Sequence, residues 1–148
     1  MLHGLCLRLS GLLLALAAPA CASLPEATLS HAEQTRSTRQ LAEAFLNRYL
    51  IADDVTGAYA AFADPDFIQH SPAFGNGVAA HRAYFEGLVA EGANPAEWAH
   101  VSDMLLVDGD HFALVHHAFR GPQDSGRIFV DIWRVEDGRI AEHWDVQQ

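Results

Sequence analysis

The carboxylate of Asp131 has the surroundings that most directly predict chemistry in this sequence. It lies in the middle of residues 127–135, where apolar residues occupy both faces of the predicted strand. A carboxylate buried in this way either finds a partner or has its pKa raised until it is protonated. A raised pKa would make Asp131 an acid/base group. The alternative is a structural Asp that is bonded to the backbone or to an Arg.

Two adjacent histidines, His116 and His117, lie on the preceding predicted strand. If residues 121–126 form the loop between the strands, His116 faces Asp131 directly on the same side of the sheet. A one-residue bulge would place His117 there instead. An imidazole beside a carboxylate at the wall of an apolar cavity is suited to moving a proton. We therefore expect Asp131 and one of these histidines to form an acid/base pair, with a buried structural His as the alternative.

Other candidate site residues are expected to surround this pair. His70 precedes Ser71-Pro72 and is predicted at the rim of a pocket, where a purely structural corner is the alternative. A two-residue turn at 137–138 places Trp144 opposite Asp131, whereas a three-residue turn with a glycine bulge places His143 there. The side chains expected to bind an apolar substrate are Phe67, Trp133, Trp144 and His143.

Composition excludes several other chemistries. All nine basic residues are Arg, so no lysine amine is present for Schiff-base catalysis. The two cysteines, Cys6 and Cys21, lie in or beside the N-terminal apolar segment, which leaves no thiol in the remaining chain. Adjacent histidines on a strand point to opposite faces and cannot chelate one ion, so we expect no metal. No cofactor-binding glycine motif is present, and a net charge of −10 disfavours nucleic acid as a partner.

The elements that would position these residues are three helices followed by a run of hairpins. The helical pattern begins at residue 39, and further helices are predicted at 54–62 and 75–91, with a short extended segment at 67–70. Strands are predicted at 98–107, 111–120, 127–135 and 139–146. This order predicts an α+β fold in which a curved antiparallel sheet wraps over the helices and leaves a cone-shaped pocket.

The N-terminal segment resembles an export signal. Residues 11–18 are apolar but too few to span a bilayer. We expect a signal peptide at 1–20, a linker at 21–38 and one domain at 39–148. Cys21 fits either an ordinary cleavage site or the acylated residue of a lipoprotein, which would be the only membrane tether. The expected location is the bacterial periplasm or the outer membrane.

Three stretches together resemble the SnoaL-like family of the nuclear transport factor two-like superfamily. They are FIQHSP at 67–72, DGD at 108–110 and VDIWRVEDGRIAEHWDV at 130–146. The resemblance implies a cone-shaped α+β barrel. In the polyketide cyclases of this family, a strand aspartate catalyses an intramolecular aldol condensation without a cofactor. Asp131 matches that aspartate, and His116 or His117 matches a histidine on the preceding strand.

These observations predict an exported enzyme of the cyclase, isomerase or dehydratase type. Asp131 would remove a proton from carbon, while His116 or His117, with His70, would bind the developing enolate oxygen or orient the carboxylate. The alternative is a non-catalytic module that binds a small apolar molecule in the cell envelope. A homodimer formed through the open sheet face is compatible with both functions.

Overall fold

The computed structural model of the protein describes residues 29–51, 54–94 and 97–148. Within these ranges no helix is long and apolar enough to cross a bilayer. The expected signal peptide and Cys21 lie outside the described residues. The elements, in chain order, are α1 (His31–Leu46), a π-helical turn (Asn47–Ile51), α2 (Val55–Phe62), β1 (Ala63–Gln69), α3 (Gly77–Ala90), β2 (Ala99–Asp108), β3 (His111–Phe119), β4 (Arg127–Glu136) and β5 (Arg139–Gln147).

Helix α1 begins inside the segment that was expected to be a linker. The Ser30 hydroxyl accepts the backbone N–H of Glu33, and the Glu33 carboxylate accepts the backbone N–H of Ser30 at 2.9 Å. This capping box satisfies N–H groups that the first turn of a helix leaves unpaired. Thr38 is already fully buried. The linker prediction is therefore wrong for residues 31–38, where a cap made by two polar side chains starts a helix.

The five strands form one open sheet in the order β1-β5-β4-β3-β2. Strands β2 to β5 pair antiparallel with their neighbours, whereas β1 pairs with β5 in parallel. The α+β class is confirmed, and the architecture is consistent with the predicted cone. The sheet is mixed where an antiparallel one was expected, because β1 leads into α3 and its direction is not set by a hairpin turn.

An aromatic core fills the end of the sheet near its two tight hairpins. Phe45 of α1 packs on Tyr59, Phe112 and Trp133, with ring centroids 5.3 to 6.1 Å away. The indole N–H of Trp133 donates to the Tyr59 hydroxyl at 2.9 Å, and all four side chains are almost fully buried. Burial of this size is the main source of fold stability. The opposite end of the same sheet face remains open beside Asp131.

The register between β3 and β4 differs from the predicted one by two residues. Leu114 lies opposite Asp131, and His116 lies opposite Phe129. The connection is longer than predicted because pairing ends at Ala118 and Arg127. Side chains alternate with a period of two, so this slip keeps His116 and Asp131 on the same face.

The pairing of β4 with β5 begins in the register predicted for a two-residue turn and then shifts by one residue. Asp137 and Gly138 have φ values of 49° and 72°, which are the left-handed conformations of a two-residue type I′ turn. The register then shifts at Ala141, between the pairs Val135–Ile140 and Arg134–Glu142. Asp145 consequently lies opposite Asp131, where Trp144 or His143 was expected.

Candidate active site

A cavity of about 110 Å³ lies between the helices and the inner face of the sheet. Asp131, His116 and His143 line its sheet side, while His81 lines it from α3. The π-helical turn contributes Tyr49, and such turns occur often at functional sites. Seven further aromatic side chains line the cavity: Tyr59, Phe74, Tyr84, Phe85, Trp98, Phe119 and Phe129.

Two imidazoles hold the Asp131 carboxylate, one from each neighbouring strand. Nε2 of His116 on β3 lies 2.6 Å from Oδ2, and Nε2 of His143 on β5 lies 2.9 Å from Oδ1. All three side chains are nearly inaccessible, with exposed fractions of 1% for His116, 3% for Asp131 and 4% for His143. Each imidazole is offset by two residues from the position directly opposite Asp131, which keeps all three on the inner face.

These partners determine the charge of Asp131. Burial alone would raise the pKa of its carboxyl group, but the hydrogen bonds with His116 and His143, with a smaller electrostatic effect of the same two side chains, outweigh burial. The pKa of Asp131 is therefore lowered from its ordinary value of 3.8. The rise considered from the sequence is not found, because that prediction did not include two imidazole partners. Asp131 is ionised at neutral pH.

The hydrogen-bond chain continues from His143 into β1. Nε2 of Gln69 lies 2.8 Å from Nδ1 of His143, and Oε1 of Gln69 accepts the backbone N–H of Ser71 at 3.0 Å. Both residues are buried. The Asn76 side chain at the start of α3 accepts the backbone N–H of Gln69 at 2.9 Å and does not cap its own helix. No local sequence pattern indicates a role for Gln69, because β1 reaches this site through a parallel pairing.

A further imidazole, that of His100 on β2, adjoins His116 on the cavity wall. Their Nδ1 atoms are 3.4 Å apart. Burial, followed by the nearby His116, lowers the pKa of His100 to about 4, so this imidazole is neutral at neutral pH. His100 was not among the predicted site residues, since nothing in its local sequence pattern distinguishes it from other strand residues.

His81 approaches the cavity from α3 and was also missed. It is 2% exposed, its ring stacks on Phe74, and its Nδ1 has no hydrogen-bond partner within the described part of the chain. Burial, with a smaller effect of His143, lowers the pKa of His81 to about 3. Helical spacing places His81 on the inner face of α3, but spacing alone did not indicate function.

Asp145 lines the cavity on β5, although the sequence had suggested a solvated edge residue. Its Oδ1 is buried and has no hydrogen-bond partner among the described residues. Trp98, between α3 and β2, also lines the cavity, and its indole Nε1 is likewise buried without a partner in those ranges. These two polar atoms are available to groups of a bound molecule.

Three predicted site residues lie on the outer face of the sheet. Nδ1 of His117 is 2.7 Å from an oxygen of Asp103, and both side chains are substantially exposed. Nε2 of His70 is 2.8 Å from Glu142, and its ring stacks on Trp144 with centroids 4.4 Å apart. His117, His70 and Trp144 are therefore separated from the cavity by the sheet, because odd and even strand positions face opposite sides.

Of the four expected substrate-binding residues, His143 alone lines the cavity. Phe67 and Trp133 face inward but lie behind the wall. Phe67 packs on Tyr59, and Trp133 packs on Tyr59 and Phe112. They belong to the core cluster that supports the wall.

The described residues contain no group of three or more His, Cys, Asp or Glu side chains placed to hold a metal ion. The arrangement instead offers proton transfer, because an ionised carboxylate is bonded to imidazoles beside an aromatic cavity. Hydrogen-bonding side chains in the same wall could orient a polar substrate group.

Comparison with known proteins agrees with this fold. The family model of the SnoaL-like domain matches residues 39–143. No curated protein is significantly similar in sequence. Similar solved structures include TsrD from Streptomyces laurentii, with 27% identity, a TM-score of 0.54 and coverage of 76% of this chain and 89% of that chain.

Two further structures are less similar in sequence and show the fold alone. A candidate ketosteroid isomerase from Kribbella flavida DSM 17836 has 22% identity and a TM-score of 0.61, covering 78% of this chain and 80% of that chain. A candidate SnoaL-like polyketide cyclase from Jannaschia sp. CCS1 has 17% identity and a TM-score of 0.59, covering 82% of this chain and 92% of that chain. With its family model matched over most of its length, the chain belongs to the SnoaL-like domain family.

Proposed function

We propose that this protein is a cofactor-independent acid/base catalyst that acts on a small apolar carbonyl compound. The observation that carries the proposal is the buried pair of His116 and Asp131 at the wall of the aromatic cavity. Aldol cyclisation, isomerisation and dehydration all begin or end with proton transfer at carbon next to a carbonyl group. Polyketide cyclase and ketosteroid isomerase assignments among the similar structures agree with this class of reaction.

The geometry supports a division of roles within the pair that differs from the one expected from the sequence. Each oxygen of Asp131 is already bonded to an imidazole, and its carboxyl group is ionised. Nε2 of His116 donates to that carboxylate, which leaves Nδ1 as the atom that accepts a proton. In our proposal His116 exchanges the proton with substrate, while Asp131 orients it and stabilises the imidazolium.

The proposed first step is enolisation. A C–H bond next to the substrate carbonyl breaks, its proton goes to Nδ1 of His116, and its electron pair forms the carbon–carbon double bond of an enolate. The enolate carbon then attacks a second carbonyl, whose oxygen takes the proton back from His116 in an aldol reaction. Return of the proton to a different carbon gives an isomer instead.

The size and lining of the cavity favour a small, cyclic and largely apolar substrate. The cavity volume is about 110 Å³, somewhat below the roughly 150 Å³ of an apolar cavity known to hold one benzene ring. His70 is on the outer face, so we assign the binding of the substrate oxygen to another donor. The indole N–H of Trp98 is buried without a partner in the described ranges and lies in the cavity wall.

A second candidate function is binding without reaction. It is favoured by the lowered pKa of Asp131, since a carboxylate held by two hydrogen bonds also suits a purely structural role. The same aromatic wall would then serve to carry or sense an apolar molecule.

One experiment separates the two functions. Small molecules that copurify with the protein are extracted, identified by mass spectrometry and returned to purified wild type and to Asp131→Asn. We expect wild type to convert the compound or its precursor, and the variant, which keeps the shape but lacks the charge, to bind without converting it. Equal conversion by both proteins would contradict the acid/base assignment, and binding without conversion by both would favour the binding module.

Export is a separate proposal that depends on residues 1–28. The apolar segment at 11–18 and the small residues around Cys21 support a secreted or lipid-anchored protein. Metabolic labelling with a fatty acid, compared between wild type and Cys21→Ser, tests lipidation. An unlabelled wild-type protein of full-chain mass would contradict both export and lipidation.

We also propose a homodimer formed through the outer face of the sheet. Five apolar side chains exposed there by 39 to 65% support it: Val101, Met104, Leu106, Ile128 and Val146. Sedimentation should give a dimer for wild type and a monomer for Leu106→Glu. A monomeric wild type would overturn this part of the proposal.

A further inference from the structure

We propose that Gln69 is a positioning residue that keeps His143 in its neutral Nε2–H form, so that His116 is the imidazole that changes protonation state. This inference rests on the proposed function for its catalytic meaning. Its structural basis is a chain of hydrogen bonds whose direction is fixed at one end.

The direction is set by the backbone N–H of Ser71. This group can only donate, and it lies 3.0 Å from the side-chain oxygen of Gln69. The oxygen of the Gln69 amide must therefore face Ser71, and its NH₂ group must face Nδ1 of His143 at 2.8 Å. An NH₂ group also only donates, so Nδ1 of His143 accepts and carries no proton.

The remaining nitrogen of His143 then follows by elimination. A neutral imidazole with no proton on Nδ1 carries it on Nε2, and Nε2 lies 2.9 Å from Oδ1 of Asp131. His143 donates to the carboxylate while remaining uncharged. Protonating Nδ1 would set two donors against each other. Rotating the Gln69 amide to relieve that contact would set its NH₂ group against the N–H of Ser71.

Burial restricts the access of solvent to either contact. Gln69 and Ser71 are 7% and 6% exposed, and His143 is similarly buried. A buried donor without an acceptor loses its hydration without compensation. Protonation of His143 is therefore opposed by the fold itself.

His116 has no such restriction in the contacts that hold it. Its Nε2 donates to Asp131, and its Nδ1 lies 3.4 Å from Nδ1 of His100, a nitrogen that either donates or accepts. His100 is neutral at neutral pH. When Nδ1 of His116 takes up a proton, the new N–H group can therefore donate a hydrogen bond to His100. The Asp131 carboxylate balances the positive charge of His116.

The other groups packed around His143 do not supply a competing charge. Tyr59 approaches from α2, with its ring 5.9 Å from that of His143, and burial raises the pKa of its phenol well above 10. His81 of α3 is uncharged at neutral pH because burial lowers its pKa to about 3. Trp133 of β4 stacks on the ring at 5.0 Å and carries no charge. Among the described residues, Asp131 is the ionised group to which His143 is bonded, and Asp145 lies two residues further along the same strand.

The test is the protonation state of His143 in protein labelled with ¹⁵N at histidine. Long-range ¹H–¹⁵N spectra distinguish the two neutral tautomers and the imidazolium. In wild type we expect the Nε2–H tautomer of His143 at neutral pH. A wild-type His143 that is imidazolium or carries its proton on Nδ1 would overturn the proposal.

Gln69→Glu reverses the polarity of the same contact at nearly constant shape. A carboxylate accepts from Ser71 and from a protonated Nδ1 of His143, so we expect His143 to carry a proton on Nδ1 in this variant. Gln69→Met removes the hydrogen bonds while keeping the approximate volume, and it separates lost packing from reversed polarity. Wild-type tautomer signals in a folded Gln69→Glu protein would contradict the role of Gln69.

The spectra require no substrate, so they stand apart from the proposed function. If the copurifying compound is a substrate, Gln69→Glu should also shift the pH profile of its turnover, whereas Gln69→Met should lower turnover without that shift. If His143 has the expected tautomer and wild type converts nothing, the catalytic proposal fails while the role of Gln69 stands. If wild type is active and His143 is an imidazolium, the role of Gln69 fails alone.

Discussion

Asp145 lies directly opposite Asp131 on the neighbouring strand, and both residues line the same cavity, but their hydrogen bonding differs. Asp131 is bonded to two imidazoles, whereas Oδ1 of Asp145 is buried without a partner in the described part of the chain. The protein's own imidazoles therefore fulfil the hydrogen bonding of Asp131, whereas Oδ1 of Asp145 is left as an acceptor for another group. A bound molecule with a hydroxyl group would complete that site.

Replacing Asp145 by Asn should weaken binding more than it slows reaction. The variant keeps the shape but replaces one acceptor oxygen of the side chain by an NH₂ donor, and a buried polar group that is left unpaired costs about 1–3 kcal/mol. We expect Kd for the copurified compound to rise roughly 10- to 100-fold, while kcat changes little. Calorimetry and steady-state kinetics measure the two quantities. Asp110→Asn, at an exposed turn, is the control, and an unchanged Kd in Asp145→Asn would contradict this role.

The adjacent residues His116 and His117 form a matched pair for testing the proton-transfer site. His116→Gln should lower kcat by roughly 100- to 10,000-fold, because an amide does not take up the proton. His117→Gln should leave kcat within about twofold of wild type, since that side chain pairs with Asp103 on the outer face. Similar losses in both variants would show that activity depends on the strand and not on the His116 imidazole.

His116 and Asp131 share one face of the sheet, as the sequence predicted, despite an error in register. His116 and Asp131 were expected to be directly opposite, and they are in fact offset by two residues. Because strand side chains repeat every two residues, the error left both on one face. A one-residue bulge at Ala141 has the opposite effect, since it determines which residue of β5 faces Asp131. That bulge has no clear signature in the sequence, and the expected position of Trp144 was wrong for this reason.

The residues that the sequence did not reveal approach the site from other elements. Gln69, His81 and His100 belong to β1, α3 and β2, and long-range packing brings them to the carboxylate and imidazoles of β3, β4 and β5. No local spacing relates them to Asp131. The parallel pairing that brings Gln69 to His143 is also outside what hairpin patterns predict.

Tyr59→Phe should destabilise the fold without changing its shape. The Tyr59 hydroxyl accepts the indole N–H of Trp133 at 2.9 Å, and both residues are fully buried. Removing the acceptor leaves that N–H unpaired, which costs about 1–3 kcal/mol. Urea denaturation followed by far-UV circular dichroism measures the free energy of unfolding. Tyr84→Phe, at a partly exposed position, should change it much less, and equal effects would contradict a special role for the Trp133 contact.

His81 should make the fold sensitive to acid. Burial lowers its pKa from 6.5 to about 3, so between these values the unfolded chain binds a proton that the folded chain does not. The free energy of unfolding therefore keeps its full value above the pKa of His81 in the unfolded chain, and it decreases as the pH falls below that pKa. For His81 alone the loss is about 2 kcal/mol between about pH 7 and about pH 5. His100 acts in the same direction, because its pKa is lowered to about 4.

His81→Phe keeps an aromatic ring against Phe74 and Phe85 but removes the titrating group. We expect the free energy of unfolding of this variant to fall by about 2 kcal/mol less than that of wild type over the same pH interval. Urea denaturation at a series of pH values measures the difference. His111→Gln changes an exposed imidazole on the outer face and should keep the wild-type slope. A His81→Phe protein with an unchanged pH dependence would show that His81 is not held neutral in the folded state.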